Sequence, residues 1–132
     1  HKIFPKITKS FFLFSNYVII NKKNCILPFL YKMFNIIYTV CGSMKSAKKI
    51  TKTLLKNKKA VCINITNDIR SFYLEDNKIK SSSEVSLLIK TISDPKSVIS
   101  FIKVNHDYDV PFITILNSKN TNKEYLDWAK KS

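Results

Sequence analysis

Hydrophobic positions along this chain change their period several times, and each change marks the edge of an element. Residues 34–40, FNIIYTV, are rich in β-branched and aromatic side chains, as suits a buried strand. Gly42 and Ser43 end it, and Ser43 stands where a helix cap belongs. Met44, Ala47, Ile50 and Leu54 then recur at helical spacing with lysines between them, which predicts a helix running to about Asn57. In AVCINITNDIRSFYL the period drops to two, with Val61, Ile63, Ile65 and Ile69 apolar. KIKSSSEVSLLIKTI answers it with Val85, Leu87 and Ile89 on one face, and the polar break at Glu75, Asp76 and Asn77 makes the two a hairpin.

Side-chain parity fixes the hairpin's register. A plain two-residue turn at Asp76-Asn77 pairs Ile65 with Leu88 and splits the apolar residues between two faces. An odd loop, or a bulge of equivalent effect, pairs Ile65 with Leu87 and Ile63 with Ile89 and keeps them together, and is the expected geometry. Asp94-Pro95 is a helix start, with Val98, Ile99 and Ile102 as its apolar stripe and an end near Asn105. Pro111 opens a last strand, PFITIL, and residues 122–131 close the chain as a short helix carrying Tyr125, Leu126, Trp128 and Ala129. The order β-α-β-β-α-β-α predicts an α+β, ferredoxin-like sandwich with a long hairpin between its second and third strands and an added C-terminal helix.

Strands of fourteen residues reach roughly 45 Å, far beyond the ~13 Å radius of gyration of a hundred-residue domain. The hairpin must bend or overhang, and an overhang with apolar side chains calls for a second chain to cover it. Closed self-association is expected. Tyr73, Glu84 and Tyr108 on or near the hairpin, and Tyr125 and Trp128 on the last helix, are the candidate contact residues, with packing on their own domain as the alternative for the last two.

Composition narrows function mainly by exclusion. A length of 132 residues suits one domain, read as residues 33–132, preceded by a distinct stretch at 1–32. That stretch holds six lysines, no acid, and an apolar run from Phe11 to Ile20 that is too short for a membrane-spanning helix but suits a signal or transit segment, or else a disordered extension. It leaves the compartment open between cytoplasm and a plastid-like organelle. The formal charge of +14 raises nucleic acid as a partner, but Arg70 is the one arginine, and bidentate readout of bases and phosphates rests on arginine; no nucleic-acid partner is expected. An RNA-binding module of the same strand order needs aromatics on its third strand, and EVSLLIKT has none. Gly42 is the single glycine, so no glycine-rich phosphate cradle exists, and two histidines with no GxSxG or HExxH leave little material for hydrolysis. No enzymatic activity is expected. Cys25, Cys41 and Cys62 form no CxxC pair.

The run AVCINI, followed by SFY, KI, EVSLLIKT, His-x-Tyr-x-Val-Pro and YLDW, resembles the CutA family in order and spacing from about Thr39 to Trp128. The resemblance implies a ferredoxin-like protomer in a tight homotrimer, with a role in divalent-cation tolerance, copper binding in some members and no established reaction. Small-molecule sensing or structural assembly through intersubunit clefts is the alternative. The polar positions depart from the family pattern: Glu75 and Asn77 stand where Trp and Gly are usual, Asp107 replaces Pro between His106 and Tyr108, and Phe112 replaces Glu after Val-Pro. Copper or another divalent cation is the expected ligand. Cys62 matches the family's strand cysteine and, with His106, offers thiolate and imidazole to copper. His106, Asp107 and Asp109 cluster after the second helix, and Cys41 occupies a position where some relatives also carry cysteine.

Overall fold

The computed structural model describes residues 34–132 and, before them, the backbone of three short strands, β1 (Phe11–Phe14), β2 (Tyr17–Ile20) and β3 (Cys25–Leu27), paired in that order as an antiparallel sheet. The expected leader otherwise falls outside the described residues. No helix of the described residues is long and apolar enough to cross a membrane.

The main sheet has the order β5-β6-β4-β7, from β4 (Asn35–Cys41), β5 (Cys62–Glu75), β6 (Lys78–Thr91) and β7 (Ile113–Asn117), every pairing antiparallel. Helices α1 (Met44–Lys56) and α2 (Pro95–Asn105) connect them, and α3 (Lys123–Lys131) ends the chain. This is the ferredoxin-like arrangement that the element order predicts. Both long helices start where their caps stand. Ser43 Oγ accepts the Ser46 N–H at 3.1 Å, and the Asp94 carboxylate accepts the Ser97 N–H at 3.1 Å ahead of Pro95.

One face of the sheet carries the core. Ile37 and Cys41 of β4 and Val85, Leu87 and Ile89 of β6 meet Ala47, Ile50 and Leu54 of α1 and Val98 and Ile102 of α2. Each large side chain buried this way contributes roughly 1.5–3 kcal/mol. The hairpin register is the one parity demands, Ile65 opposite Leu87 and Ile63 opposite Ile89. Two devices produce it together. The turn has two residues, Asp76 and Asn77, at φ 52° and 60°, the left-handed pair that a tight hairpin with matching twist requires. A bulge then opposes Asn67 and Asp68 to Val85 alone, with Asp68 at φ 58°.

Beyond that bulge the hairpin leaves the sheet. β4 pairs β6 only from Val85 to Thr91, so among the described residues Lys78–Glu84 has no strand neighbour except Ile69–Glu75 of β5. This two-stranded ribbon exposes Phe72 by 71%, Leu74 by 73% and Ile79 by 78%. The last strand begins later than its sequence suggests, at Ile113 in place of Pro111. Pro111 has no N–H for a ladder, and the carbonyl of Phe112 is taken by the Thr39 hydroxyl at 2.8 Å.

Candidate metal centre

The site grows from the end of β4. Cys41 is its last residue, buried on the core face, with Sγ donating to the Val85 carbonyl at 3.7 Å. Gly42 and Ser43 turn the chain into α1, and the three residues after α2 fold back against this corner. His106 is fully buried at its side chain. Its Nε2 lies 3.0 Å from the Val40 carbonyl and 3.3 Å from Thr39 Oγ1. A ring nitrogen facing a carbonyl oxygen has to be the donor, so Nδ1 is left as an acceptor and takes the Tyr108 N–H at 3.0 Å. The Asp107 carboxylate accepts the Gly42 N–H at 3.0 and 3.3 Å, and one of its oxygens lies 3.3 Å from His106 Nδ1.

Cys41 Sγ, a His106 ring nitrogen and an Asp107 oxygen thus fall within 4.8 Å of one another. They are electron-rich groups brought face to face, and a cation is the natural complement. Burial first, and the Asp107 carboxylate second, push the Cys41 thiol up to about 11 from its ordinary 9.0. The Tyr108 hydroxyl is also pushed up, chiefly because it donates to the Glu84 carboxylate at 2.6 Å.

Gly42 matters here for room alone. A Cβ on it would lie 3.0 Å from Asp107 Oδ2, 3.1 Å from Tyr108 Cε1 and 3.2 Å from Tyr108 Oη. Gly42→Ala therefore requires the Asp107 carboxylate and the Tyr108 ring to give by a few tenths of an ångström.

Of the ligands expected from sequence, the fold unites His106 and Asp107 and separates Cys62. Lys90 pairs with both Cys62 and Ile36, while Cys41 pairs with Val85, so the two cysteines stand on opposite faces of the sheet and five register positions apart. Cys62 sits instead beside Lys90 Nζ, at 3.8 Å, and near the Tyr125 hydroxyl, whose pKa is raised by its burial and then by Cys62. Asp109 is exposed and stands outside the Cys41, His106 and Asp107 group.

The candidate contact residues divide similarly. Tyr73 and Trp128 are exposed, at 46% and 49%. Tyr108 and Glu84 bond to each other within the chain. Tyr125 packs on its own domain, edge-on to Phe34 with ring centres 5.8 Å apart and with Lys90 Nζ 5.8 Å from its own ring centre.

Comparison with known proteins places this architecture. The family described as CutA1 divalent ion tolerance protein matches residues 35–132. The divalent-cation tolerance protein CutA of Archaeoglobus fulgidus is 36% identical over 101 residues, covering 76% of this chain and 98% of that protein. The chloroplastic CutA 1 of rice is 32% identical over 98 residues, and the chain spans only 55% of its length. The crystal structure of CutA1 from Ehrlichia chaffeensis superposes with a TM-score of 0.72 at 28% identity, over 75% of this chain and 94% of that one. The chain belongs to the CutA family.

Proposed function

We propose that this chain is a non-enzymatic, homotrimeric divalent-metal-binding protein of the tolerance or response type, and that copper or a similar ion is held by Cys41, His106 and Asp107. The convergence of those three donors within 4.8 Å carries the reading. The donor chemistry fits: a thiolate and an imidazole suit copper and zinc, and the carboxylate supplies charge. The outer contact fits as well, because a ligating histidine ordinarily gives its other ring N–H to a carbonyl, as Nε2 does to Val40. An ion on Nδ1 would take the place of the Tyr108 N–H. The names of the relatives, divalent-cation tolerance proteins, support the same role.

A catalytic use of Cys41 fits poorly. Its hydrogen points at the Val85 carbonyl, its pKa is raised where a nucleophile needs it lowered, and both nitrogens of the neighbouring imidazole are already engaged. The trimer is supported by the unpaired apolar ribbon of the hairpin. An organellar address is supported by the chloroplastic plant relatives.

Calorimetric titration with copper and with zinc, on the wild type and on Cys41→Ser, His106→Ala and Cys62→Ser, tests the site. Binding should weaken on the order of ten- to a hundredfold or more in the first two variants and hold in the third. Loss in Cys62→Ser with retention in Cys41→Ser would overturn the assignment. The pH dependence has a definite sign. Below about 11 the Cys41 thiol keeps its proton and the metal must displace it, so apparent affinity rises as pH rises, by about tenfold per unit for one released proton.

A further inference from the structure

We propose that the outward face of α1 is a docking surface for an anionic lipid bilayer. Charge on this chain is sorted. All nine acidic residues lie at or after Asp68, whereas the stretch from Lys45 to Lys59 holds seven lysines and no acid. Lys45, Lys48, Lys49, Lys52, Lys56 and Lys58 are exposed, and among the described residues no ion pair reaches them. At 100° per residue the five lysines of α1 occupy about a third of the helix circumference, opposite the stripe of Ala47, Ile50 and Leu54 that faces the core. Lys96 and Lys103 of α2 are exposed in the same helical layer. The hairpin ribbon, where a partner copy would sit, and the sheet face opposite α1 and α2, which carries Tyr125 of α3 beside Lys90 and Cys62, both lie elsewhere, so none of these contacts covers the lysine face of α1. The inference does not depend on the metal site.

The chemistry of the face selects the partner. Clusters of lysines on an amphipathic helix are attracted to anionic headgroups through diffuse charge, with no need for the bidentate geometry of arginine. The one arginine, Arg70, is on β5. Leu55, 43% exposed at the border of the lysine stripe, and Val104, 82% exposed on α2, add aliphatic tips among the cations. The acyl boundary of a membrane can bury such tips, whereas a phosphodiester backbone offers them nothing. Aromatic side chains for stacking on bases are absent from the exposed positions of α1.

Co-sedimentation of the full chain with phosphatidylcholine vesicles, with and without phosphatidylserine, tests this. Binding is expected only to the anionic vesicles and should fade with added salt. K45Q/K48Q/K49Q/K52Q, all at exposed positions, should lower it on the order of a hundredfold while leaving the melting curve in place. L55S/V104S should lower it several-fold, roughly tenfold at most. Unchanged vesicle binding in the quadruple variant would overturn the proposal. Preference for duplex DNA or RNA over anionic vesicles, with L55S/V104S behaving as wild type, would overturn it in favour of a nucleic acid.

Discussion

A chain carrying Leu74→Asp together with Ile79→Lys should sediment as a folded monomer at micromolar concentration, where the parent is expected to sediment as a trimer. Both residues lie on the ribbon beyond the Asn67-Asp68 bulge, where among the described residues β5 and β6 pair only with each other, and both are more than 70% exposed. A two-stranded ribbon of this kind is at best marginally stable alone. Covering each such side chain with another protomer contributes roughly 1.5–3 kcal/mol, and a closed threefold assembly repeats every gain and every loss three times. The substitutions introduce opposite charges that face each other across one antiparallel pair, since Leu74 pairs with Ile79, so the hairpin itself keeps a favourable cross-strand contact while its apolar surface is lost. A parent chain that sediments as a monomer would remove the trimer from the account, and a double variant that stays trimeric would move the contact elsewhere.

The second large effect is internal. Leu87→Ala should lower the unfolding free energy by about 2–5 kcal/mol, measured by urea denaturation. Leu87 has no exposure and stands at the centre of the sheet, paired with Ile65 on one side and Thr39 on the other, with the helices above. Removal of its branched end leaves a cavity that neither rigid neighbour strand can fill. Leu88→Ala, the next residue on the opposite and less buried face, should cost less than half as much. Equal losses at the two positions would mean that the hairpin register is wrong by one residue.

That register was legible because it rests on parity, and parity is local. The apolar residues of β5 and β6 could share a face only if one extra residue entered between Ile65 and Leu87. Where that residue went was less legible. Asp68, Asp76 and Asn77 all take left-handed backbone, so the sequence offered two places for irregularity, and the fold uses a tight turn at one and a bulge at the other. Parity also contains the reason Cys62 and His106 stand apart. With Ile63 and Ile65 facing the core, Cys62 faces away from it, whereas Cys41 shares the face of Ile37. Chain order alone did not reveal that the loop after α2 returns to the end of β4. The signal available was Gly42, the single glycine, standing where a Cβ would press on the Asp107 and Tyr108 side chains.

Tyr125 illustrates a different limit. An aromatic residue on a terminal amphipathic helix reads the same whether it meets a partner or its own sheet. Here Phe34, Lys90 and Cys62 receive it, and Trp128 one turn on remains exposed. Burial of a single face is a property of the folded layers, and sequence spacing does not say which layer lies opposite.

The donor set at the end of β4 is tested most directly by near-ultraviolet and visible absorption of the protein titrated with cobalt(II), which reports thiolate coordination without oxidising the thiol. An intense thiolate-to-metal charge-transfer band at the near-ultraviolet edge of the spectrum is expected to saturate at one ion per chain, persist in Cys62→Ser, and vanish in Cys41→Ser. A band that survives Cys41→Ser, or that never forms in the wild type, would contradict that donor set.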